Sequence, residues 1–220
     1  MPPAPTLALP FPTETPLTAP EQRTVEILAS IRQTFADKGF DGASMQDLAR
    51  ASGMSVGNFY RYFPSKAAIV EALISSDLAE TEALFRLILD SPHPMQALRD
   101  TLALRISQPQ KPHEGQIWSE ISAVAHRKPE IGAVSARMEA QVVDYLTRIF
   151  AAETGLPLTE VQRRYVPHAA FLLLLIKSVS CFCDAKQVGA DHHDRHAALN
   201  TLILRTIDST LAEISSASQT

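Results

Sequence analysis

The segment from Ser44 to Lys66 constrains the fold of this chain more than any other stretch. Ser44 is followed three residues later by Asp47, a pair that is typical of a helix start because the serine oxygen and the carboxylate satisfy free backbone amides. Gly53 is predicted to end this first helix, since glycine enters the left-handed conformation of a helix C-terminus without steric cost. Ser55 can cap a second helix directly afterwards. The segment therefore predicts two short helices joined by a tight turn.

The second helix, over residues 56–62, is predicted to have one buried and one outward face. Phe59 and Phe63 are four residues apart, which is the spacing of a buried stripe. The opposite face is small at Gly57 and then bears long polar groups; its other members are Val56, Asn58, Tyr60, Arg61 and Tyr62. Such a face suits a helix inserted into the DNA major groove, where glycine permits close approach and long donors reach phosphates and base edges.

A lysine follows at the start of the next predicted helix. Ser65 is expected to cap that helix, which places Lys66 in its first turn. The helix dipole disfavours a cation at that position. A lysine there is explained if an anion shares the site, because the helix amides and the ammonium group can hold one DNA phosphate together.

These residues form a longer pattern, Asp47-Leu-Ala-x-x-x-Gly53-Met-Ser-x-Gly57-x-Phe-Tyr60-x-Tyr-Phe63-x-Ser-Lys66. The pattern resembles the DNA-binding domain of TetR-type bacterial transcriptional regulators over about residues 20–72. The resemblance implies that Val56, Gly57 and Asn58 lie against bases, and that Tyr60 and Lys66 hold the phosphate backbone. Val56 departs from the polar residue often found there, so it can offer only an apolar contact, for example to a thymine methyl. The predicted DNA-binding residues are Ser44, Ser55, Val56, Gly57, Asn58, Tyr60, Arg61, Tyr62 and Lys66.

The whole chain is predicted to be all-α. Alanine and leucine are common, aromatic residues make up only 6%, and no strand pattern is apparent. We expect a proline-rich disordered arm at 1–17, a helix-turn-helix DNA-binding domain at 18–65, a helical ligand-binding and dimerisation domain at 66–216, and a tail at 217–220. The first helix is expected to begin at Thr18 and to end at Gly39, with a turn over residues 39–42.

The charge of the chain limits how it can bind nucleic acid. The net charge is -4, so the sequence as a whole lacks the excess of basic residues that is typical of a nucleic-acid-binding protein. Binding must therefore rest on a few placed contacts and on a dimer. The longest apolar run, residues 169–176, is far shorter than the roughly 20 residues of a membrane span. We expect a cytoplasmic protein with no membrane partner.

The C-terminal half predicts a dimer and a ligand pocket. The helix from residue 161 to about 185 is apolar nearly all round, so it needs cover on more than one side. Together with the last helix it could form a four-helix interface between two subunits, as the family resemblance also implies. A small-molecule pocket is predicted between the helices, with a solid core as the alternative for each member. The pocket residues are Trp118, Ile121, Met138, Tyr145, His168, Phe171 and Ser178.

Other reactive residues give weak signals. Cys181 and Cys183 point to different sides of a helix, which disfavours a disulfide or a shared zinc site, and packing is a simpler role than redox sensing. His192 and His196 have the spacing of a metal pair, with His193 between them, but a solvated face explains them as well. No catalytic motif is recognisable, and we expect no cofactor and no enzymatic activity.

The sequence thus predicts a DNA-binding transcriptional regulator. The preferred hypothesis is a homodimeric repressor that is released from a near-palindromic operator by a small apolar or amphipathic ligand. Two alternatives remain open at this stage. The same fold could act as an activator, or the N-terminal helices could belong to a helical enzyme or small-molecule carrier without DNA function.

Overall fold

The computed structural model describes residues 18–107, 114–182 and 191–216. Within these ranges every regular element is a helix, as the composition predicts. The helices are α1 (Ala19–Gly42), α2 (Met45–Ala51), α3 (Val56–Tyr62), α4 (Lys66–Leu89), α5 (Pro94–Ser107), α6 (Glu114–Ala125), α7 (Pro129–Thr154), α8 (Leu158–Phe182) and α9 (Asp191–Ser216). The arm at 1–17 and the tail at 217–220 lie outside the described residues.

The end of α1 differs from the sequence prediction. Gly39 has a φ of 71° and a ψ of 165°, so the backbone leaves helical geometry there. Instead of an open turn, one more helical turn follows and continues to Gly42. The amide of Ala43 donates to the carbonyl of Gly39 at 3.1 Å and closes that last turn. The helix is therefore kinked at the predicted glycine and ends three residues later.

The first of two core clusters surrounds the N-terminal helices. Ile31, Leu48 and Phe59 are fully buried in it, and they come from α1, α2 and α3. The first half of α4 contributes Ile69 and Leu73. The cluster also includes Ile117, Ile121, Val124 and Ile131, from α6 and the start of α7. The N-terminal helices therefore share their core with the C-terminal part of the chain, and the predicted domain boundary at 65/66 falls inside one cluster.

The second core cluster holds the C-terminal helices together. Its fully buried members include Leu146 and Phe150 of α7 and Leu172 of α8, with Leu211 of α9. The second half of α4 also belongs to this cluster, through Phe85 and Ile88. The long helix α4 thus runs through both clusters, as its apolar pattern predicts. None of the helices in the described part of the chain combines the length and the hydropathy that crossing a bilayer requires.

Two candidate sites from the sequence, the cysteine pair and the histidine cluster, fall on residues or side chains that the structure does not describe. Cys183 lies outside the described residues, and so do the side chains of Cys181, His192, His193 and His196. The roles of the cysteine pair and of the histidine cluster therefore stay predictions.

Gly132 provides a test of the packing between α6 and α7. A Cβ atom at Gly132 would lie 2.9 Å from the backbone carbonyl oxygen of Ala125, closer than a carbon can approach without a backbone shift. Alanine improves helix propensity by about 1 kcal/mol, but overpacking against rigid backbone costs about 1–3 kcal/mol. We expect Gly132→Ala to lower the free energy of unfolding, measured by urea denaturation. A more stable variant would show that α6 and α7 do not approach this closely.

Candidate nucleic-acid interface

The turn between α2 and α3 is built by short polar contacts. The Ser44 hydroxyl accepts from the amide of Asp47 at 3.1 Å, and the Asp47 carboxylate accepts from the amide of Ser44 at 3.0 Å. Gly53 has a φ of 64°, the left-handed conformation predicted for it. Ser55 accepts from the amide of Asn58 at 3.3 Å and caps α3. The predicted helix-turn-helix geometry is therefore present.

Contacts from α1 hold this unit in place, and the sequence analysis does not find them. Lys38 forms an ion pair with Asp47 at 2.8 Å, and together with the Ser44 hydroxyl it holds the pKa of the Asp47 carboxyl well below its usual range. Arg23 donates to the carbonyl of Ser52, at the end of α2, at 3.1 Å. Both cations belong to the preceding helix, and Arg23 is 29 positions away from its partner, so no pattern within α2 itself could identify them.

The inner face of α3 is buried as predicted. Phe59 has no exposed surface and Phe63 is 9% exposed, and their ring centroids lie 5.2 Å apart. Burial of one such aromatic side chain contributes about 2–3 kcal/mol. Because the two phenylalanines fix the rotation of this short helix, they also decide which of its residues face outward.

The outward face of α3 is open. Val56 is 41% exposed, Tyr60 is 46% exposed and Tyr62 is 58% exposed. A Cβ atom added at Gly57 would meet nothing within 4 Å. The helix therefore exposes three large apolar or aromatic side chains beside the open notch that Gly57 leaves.

Two polar residues on this face are paired with each other. Arg61 lies one helical turn after Gly57, and its Nη2 donates to the Asn58 side-chain oxygen at 3.0 Å. Its guanidinium also lies 6.0 Å from the centroid of the Tyr62 ring. This bond uses the side-chain oxygen of the exposed Asn58, so the group that Asn58 can still offer to a ligand is its NH₂ donor.

Lys66 lies in the first turn of α4, as predicted, but it already has partners within the chain. Its Nζ donates to the carbonyls of Phe40 at 2.7 Å and Asp41 at 3.2 Å, and it lies 5.3 Å from the Phe40 ring. Burial of the ammonium is the main cause that lowers the pKa of Lys66. An ammonium group has three donors, so one remains for an anion.

Ser44 and Ser55 are exposed but serve as helix caps. The Ser44 hydroxyl donates to the Asp47 carboxylate at 2.6 Å, and the Ser55 oxygen is the cap acceptor of α3. Of the nine predicted DNA-binding residues, the structure leaves Val56, Gly57, Asn58, Tyr60, Arg61 and Tyr62 exposed on α3, around the sides of the helix that Phe59 does not occupy. The remaining three lie at the starts of α2, α3 and α4.

The predicted pocket residues are not brought together. Ile121 is buried in the first core cluster, with Trp118 and Met138 packed against it, whereas Tyr145 stacks on Phe85 at 5.1 Å in the second cluster. Helical spacing identifies the inner face of each helix but cannot say which core that face joins. These four side chains therefore occupy two separate cores.

The other three predicted pocket residues lie on α8. The His168 Nε2 is 3.5 Å from a Glu213 oxygen, Phe171 is 40% exposed, and the Ser178 hydroxyl donates to the carbonyl of Leu174. Two surface clefts of about 200 and 460 Å³ occur elsewhere. None of the seven residues lines either cleft; the linings are Thr34, Asp37, Lys38, Asp47, Arg50 and Ala51 in the first and His93, Met95, Gln96, Arg99, Glu153 and Ser215 in the second.

The N-terminal helices are similar to known DNA-binding domains. Residues 27–73 match the model of a family described as bacterial regulatory proteins, tetR family. UidR of Escherichia coli strain K12, an HTH-type transcriptional regulator, is 26% identical over 126 residues, which are 56% of this chain and 61% of UidR. EthR of Mycolicibacterium smegmatis, also an HTH-type transcriptional regulator, is 33% identical over 81 residues, or 36% of this chain and 37% of EthR. The similarity thus spans 61% or less of these relatives.

Solved structures resemble nearly the whole chain. GusR of Salmonella enterica superposes with a TM-score of 0.67 at 24% identity and covers 89% of this chain and 98% of its own. A TetR transcription regulator of Haloarcula marismortui gives a TM-score of 0.60 at 16% identity, with 89% and 97% covered. The predicted fold, an N-terminal helix-turn-helix domain followed by a helical C-terminal domain, is confirmed.

Gly57 separates a role in folding from a role in binding. Since the space around it is empty, Gly57→Ala should leave the free energy of unfolding unchanged or raise it by up to about 1 kcal/mol through helix propensity. The added methyl group should nevertheless weaken binding to duplex DNA, because it fills the notch that would approach the bases. Thermal unfolding and fluorescence anisotropy with a DNA duplex measure the two effects. Undiminished affinity would remove Gly57 from the contact surface.

Proposed function

Since the chain belongs to the TetR-type regulators, with their DNA-binding domain at residues 27–73 and their fold, we propose that it is a sequence-specific transcriptional repressor. The observation that carries this proposal is the two-sided character of α3. Phe59 is fully buried, while the face around Gly57 is open and bears donors and apolar groups. A seven-residue helix presented in this way suits insertion into a major groove.

The roles of the interface residues follow from their placement. Val56 offers an apolar surface to a thymine methyl, and Asn58 offers the amide donor that Arg61 leaves free. Tyr60 and the third donor of Lys66 are placed to bind phosphate oxygens. Ser44 and Ser55 act mainly through the helix starts that they cap, so the first-turn amides of α2 and α3, and not the two serine hydroxyls, are the groups that would face DNA.

We propose that the protein binds its operator as a homodimer. The exposed apolar residues of α8 and α9 support this: Val166, Phe171, Leu174, Leu199 and Leu202 are 38% to 59% exposed. A second copy that packs the same two helices against them would form a four-helix interface with two-fold symmetry. The two α3 helices would then read half-sites about one helical turn of DNA apart, so the operator is a near-palindrome.

A small-molecule effector completes the proposal. The effector is expected to bind the arrangement of helices that does not fit DNA, and thereby to shift the population away from the operator. The test is selection of bound duplexes from a random DNA pool, repeated with a metabolite mixture. A palindromic motif that is lost in the presence of the mixture supports the proposal. The absence of any enriched motif at low salt would contradict DNA reading.

Lys66→Ala tests the phosphate contact. Loss of this cation should weaken binding to all duplex sequences alike and should reduce the slope of log K against log salt by about one unit. Arg148→Ala is the charge-matched control, because Arg148 is an exposed cation on α7 that pairs with Asp144 of the same helix. The measurement is a salt titration of DNA affinity for both variants. An unchanged slope in Lys66→Ala would exclude the phosphate role.

A charge placed on the exposed face of α9 tests the dimer. Leu202 is 58% exposed, and Leu202→Glu should prevent two copies from packing there because an unpaired carboxylate would have to be buried. We expect a monomer by sedimentation and at least a tenfold loss of operator affinity. Leu87→Glu is the control, since Leu87 is an exposed leucine on α4. If the Leu202→Glu variant remains dimeric, this face is not the interface.

A further inference from the structure

The segment at the end of α1 is held by three other parts of the chain. We call residues 39–43 the Phe40 turn, after its buried aromatic side chain. Phe40 is 2% exposed, and its ring centroid lies 5.4 Å from that of Phe35, on which it stacks. Lys66 of α4 contacts it from one side and Glu120 of α6 from another. The loop between α6 and α7 adds ion pairs to Asp41, from Arg127 at 3.1 Å and from Lys128 at 3.8 Å.

The Glu120 side chain binds a backbone amide of the Phe40 turn. The amide of Phe40 donates to Glu120 Oε2 at 3.0 Å. This contact depends on the kink at Gly39, where φ is +71° and where an added Cβ would lie 3.7 Å from the same carboxylate. The residue pair is 80 positions apart in sequence, so the bond joins the DNA-binding helices to the C-terminal helices.

The backbone carbonyl of Phe40 holds the Lys66 side chain. Phe40 donates through its N–H to Glu120 and accepts through its C=O from the Lys66 ammonium at 2.7 Å. A free lysine side chain loses rotamer freedom when it binds, and this loss weakens the contact that it makes. A lysine that is already fixed by two carbonyls loses much less when its third donor meets a phosphate.

We propose that Glu120 is a positioning residue for Lys66: through the Phe40 turn, α6 holds the phosphate-binding ammonium in place. The proposal rests on the proposed function, and it names the part of the C-terminal domain that controls the DNA contact. Trp118 and Ile121 flank Glu120 on the same helix and pack in the first core cluster. Any displacement of α6 therefore moves the anchor of the turn and frees Lys66.

The direction in which one substitution changes the DNA affinity distinguishes this proposal from a purely electrostatic effect. Glu120→Ala removes a negative charge, which by itself would strengthen binding to DNA. We expect the opposite, a loss of about 3- to 10-fold on operator and random duplexes alike, because the immobilisation cost of Lys66 returns. Glu120→Gln keeps an oxygen that can accept from the Phe40 amide, and it should restore the affinity.

Glu130→Ala is the control for charge. Glu130 is an exposed carboxylate in the first turn of α7, so its loss changes the net charge equally. We expect its DNA affinity to equal or slightly exceed that of the original chain. Tighter binding by Glu120→Ala, or a Glu120→Gln variant as weak as Glu120→Ala, would overturn the proposal.

A double-mutant cycle tests whether Glu120 acts through Lys66. In a Lys66→Ala background, Glu120→Ala should cause no further loss of DNA affinity, since there is no ammonium left to position. Additive losses would overturn the proposal. The same cycle is measured in the free energy of unfolding, where a coupling between the two positions is also expected. If the original chain binds no DNA, the proposed function fails, while a missing coupling in unfolding refutes the linkage itself.

Discussion

The burial of Phe59 is the interaction on which the rest of the interface depends. Its ring is fully enclosed in a core formed by α1, α2, the first half of α4 and α6. A helix of two turns has little stability of its own, so its orientation comes from packing. Because Phe59 and Phe63 fix that orientation, Gly57 and the polar residues beside it must face outward. The surface that we propose for DNA reading is the opposite side of a packing contact.

The same core explains why the N-terminal helices are not packed as a separate unit. Ile117 and Ile121 of α6 lie in one cluster with Leu48 and Phe59. Glu120 and Lys66 bind the two polar groups of the Phe40 backbone: Glu120 accepts from its N–H, and Lys66 donates to its C=O. The lysine that is predicted to bind phosphate is therefore not a free side chain on a helix end. Its position is a property of the tertiary structure, and a change in α6 reaches it through few bonds.

Local chemistry predicts most of the N-terminal helices correctly. Ser44 and Asp47 form their capping pair, Gly53 adopts its positive φ, and Ser65 caps α4 through the amide of Ala68. These features depend on residues within four positions of each other. The end of α1 is misplaced by three residues because the chain returns to helical geometry after Gly39. The predicted pocket is scattered, since an apolar stripe does not reveal which of two cores it will join.

The amino-acid sequence by itself determines the helical class, the helix starts and the glycine turn of this protein, and it predicts the residues of the proposed reading face. Each of these depends on steric and hydrogen-bonding preferences that act within one or two turns of chain. Only the tertiary structure decides that Arg23 and Lys38 brace α2, that Glu120 anchors Phe40, and that Phe171 lies at the surface. These features depend on how different helices pack against each other, which no pattern within a single helix reveals.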